Sequence, residues 1–168
     1  MKKKSLFMFC IILVAALFIS CAGVAGAAAA PEPAARGVEM DFNDARGTVW
    51  VLSEIRRGNE VTRIDRGWLE ANHIGDWFTI SFAEGSVSGT AAPNGFFGPY
   101  TLGGGRALGF GNLAHTLMAS FIVVEELKEF EYFAYLNNVT RWNLSSGRLE
   151  LYSSTGGGAE AILVFETN

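Results

Sequence analysis

Apolar and polar residues alternate along much of the chain beyond residue 40, the signature of half-buried strands. Thr48-Val49-Trp50-Val51-Leu52 predicts a strand with Trp50 and Leu52 on one face. A short second strand over residues 61–64 follows the turn Arg57-Gly58-Asn59. Asp65 is placed to cap a short helix reaching Asn72, with Trp68 and Leu69 buried. Phe78, Ile80 and Phe82 then face one way and Trp77, Thr79 and Ser81 the other. Ala83-Glu84-Gly85 turns the chain into Val87-Ser88-Gly89, and a glycine-rich centre occupies residues 94–111, with a turn at Gly103-Gly104-Gly105.

The period then changes. Val123, Leu127, Phe130 and Ala134 fall on one stripe at helical spacing, predicting a helix over residues 121–137 that packs this stripe inward. Glu125, Glu126, Glu129 and Glu131 lie on or near its other side, a solvated face. Two strands follow, Leu149-Glu150-Leu151-Tyr152 and residues 161–165, joined through Gly156-Gly157-Gly158. Many short strands, glycine turns and one late helix predict an α+β protein, mainly antiparallel β. There is no βαβ alternation and no internal repeat.

The 168 residues leave room for one domain beyond the first forty. Ten Phe, four Trp and four Tyr follow residue 40, enough ring surface to build a core without disulfides or metals. The amino terminus reads differently. Lys2, Lys3 and Lys4 precede an uncharged apolar run over residues 6–19, and small residues follow. This is the order of a secretory signal, too short for a comfortable membrane span. Leu17-Phe18-Ile19-Ser20-Cys21 resembles a bacterial lipobox, with Phe18 where Leu is commoner. The expected organisation is a lipoprotein signal peptide over residues 1–20, a lipidated Cys21 heading a flexible Ala/Gly/Pro tether over 21–40, and the folded domain over 41–168. The expected address is the bacterial cell envelope, membrane-anchored on the periplasmic or outer-membrane face.

Losing the signal changes the charge. The formal balance of −4 becomes −7 once Lys2, Lys3 and Lys4 are gone and ten basic residues face 17 acids. Such a surface repels phosphate backbones, and no basic stripe with interleaved aromatics offsets it, so nucleic acid is not an expected partner. Cys10 and Cys21 are the only cysteines, which leaves the domain without a thiol for a disulfide, a zinc site or a nucleophile. No metal or cofactor is implied. His73 and His115 are the two histidines, and His115 reads first as a packed or hydrogen-bonded side chain. Gly85-Ser86-Val87-Ser88-Gly89 is not a nucleophile elbow, since valine stands where serine must. The triple glycine matches neither phosphate-loop nor dinucleotide spacing.

Several pieces occur in a recognisable order: Trp50-Val51-Leu52, Val87-Ser88-Gly89, Asn94, Phe97-Gly98-Pro99-Tyr100, Leu113-Ala114-His115-Thr116-Leu117-Met118-Ala119, residues 129–136, Leu149-Glu150-Leu151 and Leu163-Val164-Phe165. Together, over about residues 45–167, they resemble the META domain, the HslJ-like family of envelope lipoproteins linked to heat and drug tolerance. The resemblance implies a highly twisted, partly closed antiparallel barrel with one packed helix. It implies envelope residence and a role in stress tolerance or envelope maintenance, and it supplies no reaction. The chain departs from the family where Ala92-Pro93-Asn94 replaces the usual Gly-Cys-Asn and Ser120 replaces a frequent Cys. It is also longer between Trp50 and Phe78.

The motif patch comprises Asn94, Phe97, Gly98, Tyr100, Thr116 and Met118. Asn94-Gly95 reads as a turn whose residues tolerate positive φ, and Gly98 as a place of close backbone approach. The first reading of Asn94 is architectural, fixing the turn through nearby backbone groups. In the second, Asn94, Tyr100 and Thr116 converge at the mouth of an aromatic-lined cleft. Two functions follow: a non-catalytic envelope module that engages an envelope protein, or a lipocalin-like carrier holding a small apolar ligand.

Overall fold

The computed structural model describes residues 40–154 and 159–167. The signal, Cys21, the tether and the turn at Gly156-Gly157-Gly158 lie outside the described residues.

The organising strand is β1, Val49–Arg57. One edge pairs antiparallel with β10, Ala161–Thr167, along its whole length. The other edge is shared: Val49, Trp50 and Val51 pair with β3, Thr79–Ala83, and residues 54–57 pair with β2, Glu60–Arg63. The ladder to β10 slips between Leu52 and Glu54, leaving Ser53 as the extra residue of a bulge. The slip resets the alternation, so buried Trp50 and Leu52 are followed by buried Ile55.

Hairpins extend the sheet both ways. On one side stand β4 (Ser86–Thr90), β5 (Gly95–Leu102) and β6 (Leu108–Phe110). The two-residue strand β7, Ala114–His115, adds to β5. On the other side stand β9 (Arg148–Ser153) and β8 (Val139–Ser145). The order β6-β5-β4-β3-β1-β10-β9-β8 is antiparallel throughout and curls until its two ends meet. There Ala107 and Arg141 form a single bridge. Arg106 spans the seam, its guanidinium 5.5 Å over the Trp142 ring and bonded to the Asn143 amide oxygen. The expected α+β class and nearly closed, barrel-like sheet are thus observed.

Rings fill the interior. Phe42, from a 3-10 turn over Phe42–Ala45, meets Phe82, Tyr100 and Trp142 at centroid distances of 4.9, 5.4 and 5.1 Å. Phe78 and Tyr132 meet edge-to-face at 5.4 Å. The extra length between Trp50 and Phe78 is β2, the helix α1 (Arg66–Ala71) and the loop after it, and it contributes Ile64, Leu69, Ile74 and Trp77 to the same core. Asp65 caps α1, accepting from the Trp68 N–H at 2.9 Å.

Several expectations need correction. The late helix α2 is only Glu129–Asn137. Its buried side is Tyr132 and Leu136, while Phe130 is 72% exposed and Ala134 and Val123 also face solvent. The helix stops short because Ile122-Val123-Val124 is a β-branched run with low helix propensity. The Glu131 carboxylate then accepts from the Lys128 N–H at 2.9 Å and fixes the start. Strand β8 follows α2 directly and was not expected; a register shift between Val139 and Arg141 breaks its alternation. The glycine-rich centre contains a full strand, β5. Neither Asn94 nor Gly95 has positive φ; the turn is residues 91–94, closed by the Ala91 N–H to the Asn94 carbonyl at 2.7 Å. Trp77 and Thr79 are buried rather than outward, and Trp68 is 40% exposed. No helix among the described residues is long and apolar enough to cross a membrane.

Candidate functional site

Asn94 is a buried polar residue, and every hydrogen-bonding group it carries is engaged. Its side-chain oxygen accepts from the Thr116 hydroxyl at 2.8 Å and from the Met118 N–H at 2.6 Å. Its amide nitrogen donates to the Met118 carbonyl at 3.2 Å, and its own N–H donates to the Glu129 carboxylate at 3.1 Å. The side chain therefore imitates a strand partner for Met118, clasping residues 116–118 to the β4–β5 turn. The Glu129 contact ties the same turn to the first residue of α2. Pro93 and Ser120, the two positions at which the sequence departs from the resemblance described above, sit one residue before and two residues after this clasp.

The structure thus brings Asn94, Thr116 and Met118 together and leaves Tyr100 apart. Tyr100 lies six residues further along, about 20 Å at the rise of a strand. Its hydroxyl accepts from Arg46 Nε at 3.0 Å and donates to the Ala83 carbonyl at 3.0 Å, inside the ring-filled end of the barrel. The expected convergence of Asn94, Tyr100 and Thr116 is corrected accordingly: Asn94 and Tyr100 are both buried, but the two ends of the strand serve different neighbourhoods.

Phe97 and Gly98 occupy the middle of β5. A Cβ on Gly98 would lie 2.7 Å from the Asn112 carbonyl oxygen, so the chain at 112–113 crosses here only because the residue is glycine. Phe97 points outward, 66% exposed. With Ser86, Ser88, Gly98, Pro99 and Ala114 it lines a shallow cleft of about 410 Å³. A second cleft, about 470 Å³, lies between β7 and α2, lined by Leu113, His115, Glu129, Phe130, Phe133 and Asn137. His115 is exposed there, its ring 4.8 Å from Phe133 and its Nδ1 3.0 Å from the Thr116 carbonyl. Among the described residues no three His, Cys, Asp or Glu side chains are grouped to hold a metal ion.

Sequence reasoning missed two members of this region. Glu129 was assigned to a solvated face, and only the early end of the loop places its carboxylate against Asn94. The expected helix over residues 121–137 takes in the second half of the uncharged run over residues 117–124. That run is an irregular loop, with Leu117 90% and Phe121 fully exposed.

Charge elsewhere is bound up in structure. On the outer face of β1, β9 and β8, Glu150 accepts from Asn143 and Tyr152 at 3.1 and 2.9 Å and lies near Arg148 and Arg56. Partial burial works to raise its pKa, but the two hydrogen bonds and two guanidiniums outweigh burial and hold the carboxyl below its ordinary range. Glu54 joins the same network through Arg56, Arg63 and Arg148. Inside, burial pushes the Tyr132 phenol far above its usual range, and its hydroxyl donates to the Thr79 carbonyl at 3.3 Å.

No curated protein matches this chain. Solved structures do. A protein from Burkholderia xenovorans, determined by NMR, is 20% identical with a TM-score of 0.56, over 81% of this chain and 96% of that one. A DUF4847 family protein from Bacteroides vulgatus is 17% identical with a TM-score of 0.53, over 75% of this chain and 96% of that one. At such identities these likenesses describe the fold alone. The sequence profile of the META domain matches residues 43–165, which spans the barrel and the Asn94 clasp together, and the chain belongs to the META domain family.

Proposed function

We propose that this protein is a non-catalytic envelope lipoprotein, anchored in a bacterial membrane through acylated Cys21, whose META domain serves stress tolerance or envelope maintenance by contact rather than by chemistry. The observation that carries this reading is the Asn94 clasp. The side-chain polar groups of Asn94 and Thr116 are spent on holding a loop, the Tyr100 hydroxyl is spent on Arg46 and Ala83 inside the barrel, and the large side chains that the loop turns to solvent are apolar. Ring packing around Phe42 also favours a contact module over an internal carrier, because a small barrel whose rings meet at 4.9–5.4 Å has its interior filled by its own side chains.

The anchor is tested by metabolic labelling with palmitate and by detergent-phase partition. Wild-type protein is expected to take up label and enter the detergent phase, and Cys21→Ser to do neither. A Cys21→Ser variant that still takes up label overturns the assignment of the anchor. Loss of heat or drug tolerance in cells carrying only Cys21→Ser supports the stress role; full tolerance counts against it.

A further inference from the structure

We propose that the loop over residues 117–123 is a membrane-contacting wedge, inserted into the neutral, zwitterionic surface of the bilayer that holds the Cys21 anchor. The proposal rests on the reading of Cys21 as acylated.

Leu117-Met118-Ala119-Ser120-Phe121-Ile122-Val123-Val124 carries no charge over eight residues. The loop is fastened at both ends and protrudes between them. At its start the Thr116 N–H donates to the Gly95 carbonyl at 3.0 Å and Asn94 clasps Met118. At its far end Val124 and Leu127 are buried in the core, and Lys128 Nζ donates to the Val124 carbonyl at 3.0 Å. Between these anchors Leu117 and Phe121 stand in water. Large apolar side chains held outward on a fastened loop mark an interaction surface. Rings and leucines of this kind settle at the boundary between headgroups and acyl chains.

Charge selects among the occupants. No Lys or Arg occurs over residues 107–127, while Glu125, Glu126, Glu129 and Glu131 follow the loop in sequence and outnumber the one cation among them, Lys128, which pairs with Glu125 at 3.2 Å. Anionic lipid would be repelled. A second copy docking through the same face would bring its own four glutamates against these, since a two-fold interface pairs like with like. A zwitterionic surface meets neither penalty. Reach permits the contact as well. Eighteen residues lie between Cys21 and Met40; a segment of that length can reach on the order of 25 Å. That is comparable with the size of the domain, whose radius of gyration is about 14 Å.

The test uses the full lipoprotein reconstituted into phosphatidylethanolamine and phosphatidylcholine vesicles. No cysteine follows Cys21, so Ser120→Cys, or Ser146→Cys in the β8–β9 turn as a control, takes a single environment-sensitive fluorophore. The label at 120 is expected to shift to the blue and to be quenched by lipids spin-labelled about 5–10 Å below the headgroups. The label at 146 should stay water-like. Adding L117D and F121D should return the label at 120 to the level of the control without changing the melting temperature, since both side chains are already exposed. A water-like label at 120 overturns the proposal. So does a blue shift that grows with protein density and that spin-labelled lipid does not quench, which identifies a second copy. The mass of the N-terminal peptide reports the anchor in the same sample. Acylated protein with a water-like label overturns the wedge alone, and the absence of acyl mass overturns both readings.

Discussion

Two apolar clusters in this protein have opposite fates. Phe42, Phe82, Tyr100 and Trp142 come from four separate places in the chain and end with their rings in contact and away from water. Leu117, Met118, Phe121 and Val123 are neighbours in sequence, and more than half of each side chain remains in water. The difference lies in the backbone. In the first cluster strand alternation turns Phe82, Tyr100 and Trp142 inward, curvature of the sheet brings these rings together, and the 3-10 turn lays Phe42 among them. In the second, the backbone is held at both ends by a polar clasp and a buried pair, and the run between them spans the gap with its side chains outward. Apolar composition alone does not decide burial; the pairing of the flanking backbone does.

The sharpest test of that contrast is a pair of ring truncations. Phe82→Ala should cost about 3–5 kcal/mol in a denaturant titration, since it leaves a cavity among rings. Phe121→Ala should stay within about 0.5 kcal/mol, as exposed positions do. Comparable losses would erase the distinction. Next in size is the clasp. Asn94→Ala leaves the Met118 N–H and the Thr116 hydroxyl without their partner and should cost about 1–3 kcal/mol. Amide exchange should accelerate at Met118, with little change at Leu163 in the middle of β10. Uniform acceleration would mean that Asn94 stabilises the whole domain rather than the loop.

The smallest effect is electrostatic. The Glu150 carboxyl lies below its ordinary value of 4.5 in the folded protein. A group depressed on folding stabilises above its unfolded value, and that stability is lost as pH falls through the folded value. Acid should therefore cost the wild type stability between pH 4.5 and more acidic values. Glu150→Gln should flatten that slope, because the amide does not titrate there. Thermal melts at pH 7 and below pH 4.5 measure it, and parallel slopes in the two proteins would break the assignment.

Most strands were legible because their side chains alternate on one buried face, as Phe78, Ile80 and Phe82 do. Asp65 was legible as a cap because capping is local. What escaped depended on partners far away in sequence. The bulge at Ser53 exists only against β10. Strand β5 runs through glycines and a proline that argue for a loop. It forms because Gly89, opposite Phe96 on β4, has no Cβ: one there would lie 2.1 Å from the Thr79 carbonyl and 2.7 Å from the Phe96 ring. The stripe of Val123, Leu127, Phe130 and Ala134 fits a helix, yet Val124 and Leu127 are buried in the core from an irregular segment and the helix starts only at Glu129. For the motif patch, residue order pointed to Asn94 and Thr116 but could not separate them from Tyr100, which shares their strand neighbourhood and not their end of it.

The seam between β6 and β8 bears on solubility. A sheet that stops in open water displays unpaired N–H and C=O groups, a template onto which another chain can add a strand. Here the last strand on each side faces the other, with one bridge between Ala107 and Arg141 and a guanidinium lying across Trp142. Arg106 and Arg141 both stand at this seam. Strand β2, at another margin, has four residues with Glu60 and Arg63 at its ends. Closure at this seam therefore leaves another copy neither end of the long sheet as a ready template for adding a strand.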